Sequence, residues 1–162
     1  SGTVAAAREA AFWGVPAIAA SLAVEFVDDF ADRVIDYQAS ARIVANLLQK
    51  GVCRYIPRGF LLNINFPYNV PHETVAHGHV GGHGIKITNS GFRRYNGDIE
   101  RIFSPRGHAY YWMGVGCSGY EDIDNSDCQC VDQHQISITP MGFPDTQYPH
   151  RSELQEIISM IG

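Results

Sequence analysis

The sequence predicts an α/β fold, and three stretches carry the prediction. An alanine-rich helical pattern opens the chain and stops at Gly14, and a short apolar run, Val15–Ser21, follows it directly. Further on, "FLLNINFP" at Phe60–Pro67 alternates large apolar residues with asparagine. Helix, glycine turn and buried strand make half of an α/β unit, and a period of two marks a further strand.

The first helix is expected over Thr3–Trp13, where Ala5, Ala6, Ala7, Ala10 and Ala11 supply high propensity and Gly14 the stop. Pro16 stands near the start of the following run, where a strand tolerates it. A long amphipathic helix is read in "DDFADRVIDYQASARIVANLLQKG", with Phe30, Val34, Tyr37, Ala41, Val44 and Leu48 on one face. Asp28 and Asp29 suit its N-terminal end as capping acids, Lys50 its C-terminal end, and Gly51 its stop. After the Phe60–Pro67 strand, "GIKITNSG" reads as a short strand and "RGHAYYWMGVG" as a strand or hairpin arm. "HQISITPMG" reads as a strand closed by Pro140. The tail carries Ser152 and Gln155 in capping-box spacing, with Leu154, Ile157, Ile158 and Ile161 on one face of a helix that must dock to persist.

A chain of 162 residues fits one domain with a real core. Its formal net charge of −5 argues against a surface that coats DNA or RNA, and hence against a nucleic-acid duplex as partner. No run approaches the roughly 20 apolar residues of a membrane span, and no basic region precedes an apolar signal core. Without a secretory signal the thiols of Cys53, Cys117, Cys128 and Cys130 default to the reduced form. A disulfide from Cys117 to Cys128 or Cys130, all three in one polar loop, is the alternative. Their spacing lacks the paired knuckles of a structural zinc site.

Candidate chemistry is concentrated at the opening. If Ser1, Gly2 and Thr3 precede the first helical turn, free N–H groups and the positive dipole end converge beside two hydroxyls, an anion site in outline. Ordinary N-capping competes with that reading, and no Walker lysine is present. His72, His77, His79 and His83 occupy a glycine-rich loop where imidazoles could wrap a transition metal, although glycine loops hold ligands loosely. Glu121, Asp122, Asp124, Asp127 and Asp132 lack the glycine and terminal glutamate of a calcium loop, so they read as solvated loop acids. Ser137 lies within a strand pattern, with no signature of a nucleophile around it.

Taken in order, "SGTVAAAREAAFWGVPAIAASL", "LLNINFP", "RGHAYYWMG" and "ISITPM" resemble the survival-protein SurE family of nucleotidases. The resemblance implies a metal-dependent phosphomonoesterase acting on nucleoside 5′- and 3′-monophosphates, with broader acid phosphatase activity. It implies the C-terminal part of a Rossmann-like three-layer α/β domain, with a β-hairpin extension and a docking C-terminal helix. Ser1, Gly2 and Thr3 match the family's phosphate-contacting segment. The family's metal-binding Asp-Asp pair and Asn-rich turn precede that segment, so the ligands for Mg²⁺ or Mn²⁺ are expected upstream, and Asp28 and Asp29 do not match them. On this reading residues 1–65 form the remaining α/β layer, 66–145 the loop and hairpin region, and 146–162 the terminal helix. The parent protein is expected to be a cytoplasmic enzyme, a homodimer or homotetramer assembled through "RGHAYYWMGVG" and the terminal helix, and this portion alone inactive. A non-catalytic assembly module derived from the family is the alternative.

Overall fold

A computed structural model of the chain describes residues 2–24, 35–68, 84–95, 97, 99–113 and 117–142. Its first helix, α1 (Gly2–Phe12), is the alanine-rich stretch. Val15 N donates to Ala10 O and Gly14 N to Ala11 O, each at 3.0 Å. This Schellman closure needs a left-handed residue, which Gly14 supplies with φ at 78°. Strand β1 (Ala17–Leu22) follows.

The next helix, α2 (Gln38–Gln49), is shorter than the periodicity suggests. Ile35, Asp36 and Tyr37 are not helical, and Asp36 Oδ1 accepts from Gln38 N at 2.8 Å, closing the helix start there. The buried face is Ala39, Ser40 and Ile43, while Tyr37, Ala41 and Leu48 are exposed. A phase counted from Phe30 through the non-helical residues 35–37 therefore selects the wrong stripe. Phe30 and Val34, with Asp28 and Asp29, lie outside the described residues.

Strand β2 (Phe60–Phe66) lies parallel to β1, with Ala19 beside Asn63 and Ser21 beside Asn65. Strand β3 (Ile85–Ile87) and the last described strand, Ile136–Gly142, complete a four-stranded sheet with these two. The last strand sits between β2, to which it is antiparallel, and β3, to which it is parallel. The described residues of 66–145 thus include two strands of the central sheet, β3 and the last strand, beside the hairpins described below.

Pro140 does not close that last strand; it lies inside it, opposite Leu62. Ile136 N donates to Gly84 O, and Ile138 O accepts from Thr88 N, so even-numbered residues turn their backbone groups toward β3. β3 ends at Ile87, opposite Ile138, so the proline's missing N–H faces a side with no strand to receive it.

Helices cover both faces of the sheet. Ala7 and Ala11 of α1 pack on Ala17, Ala19 and Leu61, where small side chains allow close approach. Ile43 of α2 packs on Ile64, Phe66, Ile136 and Ile138 from the other side. Alternation along β2 sends Leu61, Asn63 and Asn65 toward α1 and Leu62, Ile64 and Phe66 toward α2. Helix, sheet, helix is the three-layer arrangement of an α/β domain.

Two antiparallel ribbons leave this body. Strand β4 (Arg93–Tyr95) pairs with Cys117–Tyr120, and β5 (Ile99–Phe103) pairs with β6 (Ala109–Met113). In chain order Cys117–Tyr120 is β7 and Ile136–Gly142 is β8. The β5–β6 ribbon exposes Ile99, Phe103, Tyr110, Tyr111 and Trp112, the last at 62%. Among the described residues no helix is long and apolar enough to cross a membrane. The helix read over 152–161 lies outside them.

Candidate functional site

Between Val131 and Ser21 the α1 face of the sheet is not closed. A cleft of 590 Å³ opens there, lined by Val4 of α1, Ser21, Asn63, Asn65, Gly91, Phe92, Arg93, Tyr95, Asp127 and Cys128. Its floor is polar because the pleat aligns Ser21, Asn65 and Ser137 in one row across three strands. Asn63 and Thr139 stand opposite each other in the next row. Cleft and α1 N-terminus meet beyond the C-terminal ends of the parallel strands β1 and β2, where ligands of α/β sheets bind.

The far wall is helix α3 (Asp127–Asp132), which packs on β8 and β2. Ser126 caps it, its Oγ accepting from Gln129 N at 3.2 Å. Asp127 then ties three segments together. Its Oδ1 accepts from Gly91 N at 2.7 Å and Cys128 N at 2.8 Å, and its Oδ2 receives the Asn65 amide at 3.4 Å. The same Asn65 Nδ2 also donates to Ser137 Oγ at 3.3 Å. Only glycine allows this approach at position 91, since a Cβ there would sit 2.7 Å from Asp127 Oδ1 and 2.8 Å from Cys128 Sγ.

These contacts correct the reading of residues 121–132 as solvated loop acids. Asp127 is half-buried and fully engaged, and Asp132 accepts from the Tyr120 hydroxyl at 3.2 Å. Asp122 and Asp124 are exposed, and Glu121 stands 4.0 Å from Arg94 at the surface. The cysteines are not in one loop either. Cys117 begins β7, while Cys128 and Cys130 are buried free thiols in α3, so neither pairs with Cys117. Burial pushes both thiols up, with the Asp127 carboxylate adding to the effect at Cys128. The proton is therefore retained to higher pH than in a free cysteine, which makes both poor nucleophiles at neutral pH.

Gly2 and Thr3 form the first turn of α1, exposed, with Val4 beside them on the cleft wall. Ser1 and the histidines at 72, 77, 79 and 83 lie outside the described residues. Ser137 is fully buried, its hydroxyl occupied by Asn65. Asn63 and Asn65 are the site residues that sequence patterns did not single out, while Asp127 was grouped with the solvated acids. Their signal was weak but present: two asparagines two positions apart in a strand whose other residues are all apolar.

The described residues do not form a site for a divalent cation. No three His, Cys, Asp or Glu side chains converge among them. Asp127, the carboxylate of the cleft, already has both oxygens facing donors, which leaves it poorly suited as a metal ligand.

Comparison with known proteins places the chain in a family. Residues 1–97 match the family model described as survival protein SurE. A 5′-nucleotidase SurE of Geobacter sulfurreducens is 38% identical over 155 residues, covering 96% of this chain and 54% of its own length. Its namesake in Carboxydothermus hydrogenoformans is 39% identical over 155 residues, with the same shares of 96% and 54%. The chain thus spans about half the length of the curated relatives it matches. Among solved structures, the SurE protein of Aquifex aeolicus superposes with a TM-score of 0.62 at 25% identity, covering 98% of this chain and 58% of that one.

Proposed function

The chain belongs to the SurE family, and from that premise we propose that the protein containing it is a phosphomonoesterase releasing phosphate from nucleoside 5′- and 3′-monophosphates. The observation that carries the proposal is the meeting of the α1 N-terminus with a nucleoside-sized cleft, in a chain whose relatives are named as 5′-nucleotidases. The first-turn N–H groups of Gly2 and Thr3, which have no acceptor within the helix itself, hold the phosphoryl oxygens at its positive end, together with the hydroxyls of Ser1 and Thr3. Donors fixed in place before the reaction stabilise charge as it develops on those oxygens. The rest of the substrate lies along the polar floor of β2.

A divalent cation, Mg²⁺ or Mn²⁺, belongs to this proposal as the family resemblance implies it, and would supply charge neutralisation and an activated water. The described residues do not form its site. The protein expressed from its complete reading frame should release orthophosphate from nucleoside monophosphates when Mg²⁺ or Mn²⁺ is supplied, while the 162 residues alone should release none. Absence of release from every nucleoside monophosphate by the complete protein would sink the proposal. A cytoplasmic location is part of the same reading.

We assign the β5–β6 ribbon to self-association as a homodimer or homotetramer, because its aromatic side chains are exposed on both faces and find no cover in the chain's own described core. Sedimentation of a Tyr111→Glu, Trp112→Glu double variant should show a smaller species than the parent. An unchanged sedimentation coefficient would argue against the ribbon.

A further inference from the structure

Asn63 poses a question that the family assignment does not answer. It lies on the central strand β2, only 7% exposed, and its side-chain oxygen is buried with no hydrogen-bond partner. Leaving such an acceptor unmade costs about 1–3 kcal/mol, so an unsatisfied group in a folded protein calls for an explanation. Asn63 also lines the cleft, and its row neighbours offer it nothing. Ala19 has no polar side-chain atom, and the Thr139 hydroxyl is bonded to Thr88 Oγ1 at 2.8 Å.

Asn65, one row further along the same floor, is held differently. Its amide nitrogen faces both Asp127 and Ser137, which orients the group and leaves its carbonyl oxygen as the atom available to a ligand. Two amides two residues apart thus line the cleft from one strand face, and the oxygen of one of them is buried without a partner. At the mouth of the cleft stand two aromatic rings, Phe92 and Tyr95, exposed at 61% and 67%.

We propose that this floor is the nucleoside subsite and that Asn63 is a specificity-determining residue, accepting a hydrogen bond from an N–H of the base. A planar base carries donors and acceptors along its edge, which a side-chain amide matches, and a π face, which Phe92 or Tyr95 covers by stacking. A cleft of 590 Å³ is the size of a small-molecule site. A phosphate at the first turn of α1, beside Val4, sets the direction in which the nucleoside extends over the floor. The orientation of the nucleotide rests on the nucleotidase reading, whereas the subsite itself is tested without turnover.

The test is calorimetric binding to the complete protein, using unphosphorylated adenosine, guanosine, cytidine and uridine and, separately, inorganic phosphate. At least one nucleoside should bind the parent. Asn63→Ala should weaken it about tenfold, the worth of one lost hydrogen bond, and leave phosphate binding unchanged. Asn63→Asp, nearly the same shape, replaces the amide by a charged carboxylate and should alter the preference among the four nucleosides. A structural role would instead lower nucleoside and phosphate binding together in both variants, and that result overturns the proposal. So does a parent that binds none of the four, or an Asn63→Ala protein that binds them unchanged. If Asn63→Ala does not fold, the parent and Asn63→Asp still decide. A protein that binds nucleosides through Asn63 yet releases no phosphate retains the subsite and loses the nucleotidase reading.

Discussion

Replacing Asp127 with alanine should destabilise the protein by about 2–4 kcal/mol, because a charge-assisted hydrogen bond is worth about 1.5–3 kcal/mol and more than one is lost. The carboxylate accepts from Gly91 N and Cys128 N through one oxygen and faces Asn65 through the other. Alanine would leave the Gly91 N–H, packed against α3, without its acceptor. The Asn65 amide would keep only Ser137. Asp127→Asn is the informative companion. One oxygen of the asparagine can still accept from Gly91 and Cys128, but its NH₂ then meets the NH₂ of Asn65, donor against donor. Its loss should fall between those of the parent and the alanine variant. Urea unfolding of the complete protein measures both, and an alanine variant within about 0.5 kcal/mol of the parent would show that the network contributes nothing beyond an ordinary surface position.

The second large effect is expected at the opposite face of the sheet. Phe66 is fully buried among Ile43, Ile64, Ile136 and Ile138, so Phe66→Ala should cost about 3–5 kcal/mol through lost burial and an unfilled cavity. Phe66→Leu restores most of the volume and should cost less than half as much. Tyr55, at 81% exposed, is the contrast, and Tyr55→Ala should change stability by no more than about 0.5 kcal/mol. Thermal or urea unfolding in one buffer separates the three. A Phe66→Ala protein as stable as the parent would mean that the packing of α2 on the sheet is not what holds this layer together.

How far the sequence could be read depended on whether the signal was local. The end of α1 was legible because Gly14 and two backbone bonds within one turn decide it. Strand β2 was legible from its period of two, and its end from Pro67. The face of α2 was not, because the apolar spacing runs on through Ile35–Tyr37, which are not helical, and Asp36 sets the start of the helix at Gln38. Pro140 was misjudged for a related reason. Whether a proline ends a strand depends on which neighbour its nitrogen faces, and β3 ends at Ile87, far from Pro140 in the chain. The acids at 121–132 looked alike in sequence, and only the fold separated exposed Asp124 from engaged Asp127.

By itself, the sequence determined the layers: alanine spacing made a helix that can lie close to a sheet, and alternation made a strand with two distinct faces. Its ordered motifs were enough to identify the family. Only the tertiary structure decided which polar groups share the cleft. Asn65 meets Asp127 across 62 positions and Ser137 across 72, contacts set by strand order and by how α3 folds back on β8. The orphaned oxygen of Asn63 belongs to the same class of fact. No pattern along a chain records a missing partner, because partners are chosen by neighbours in space.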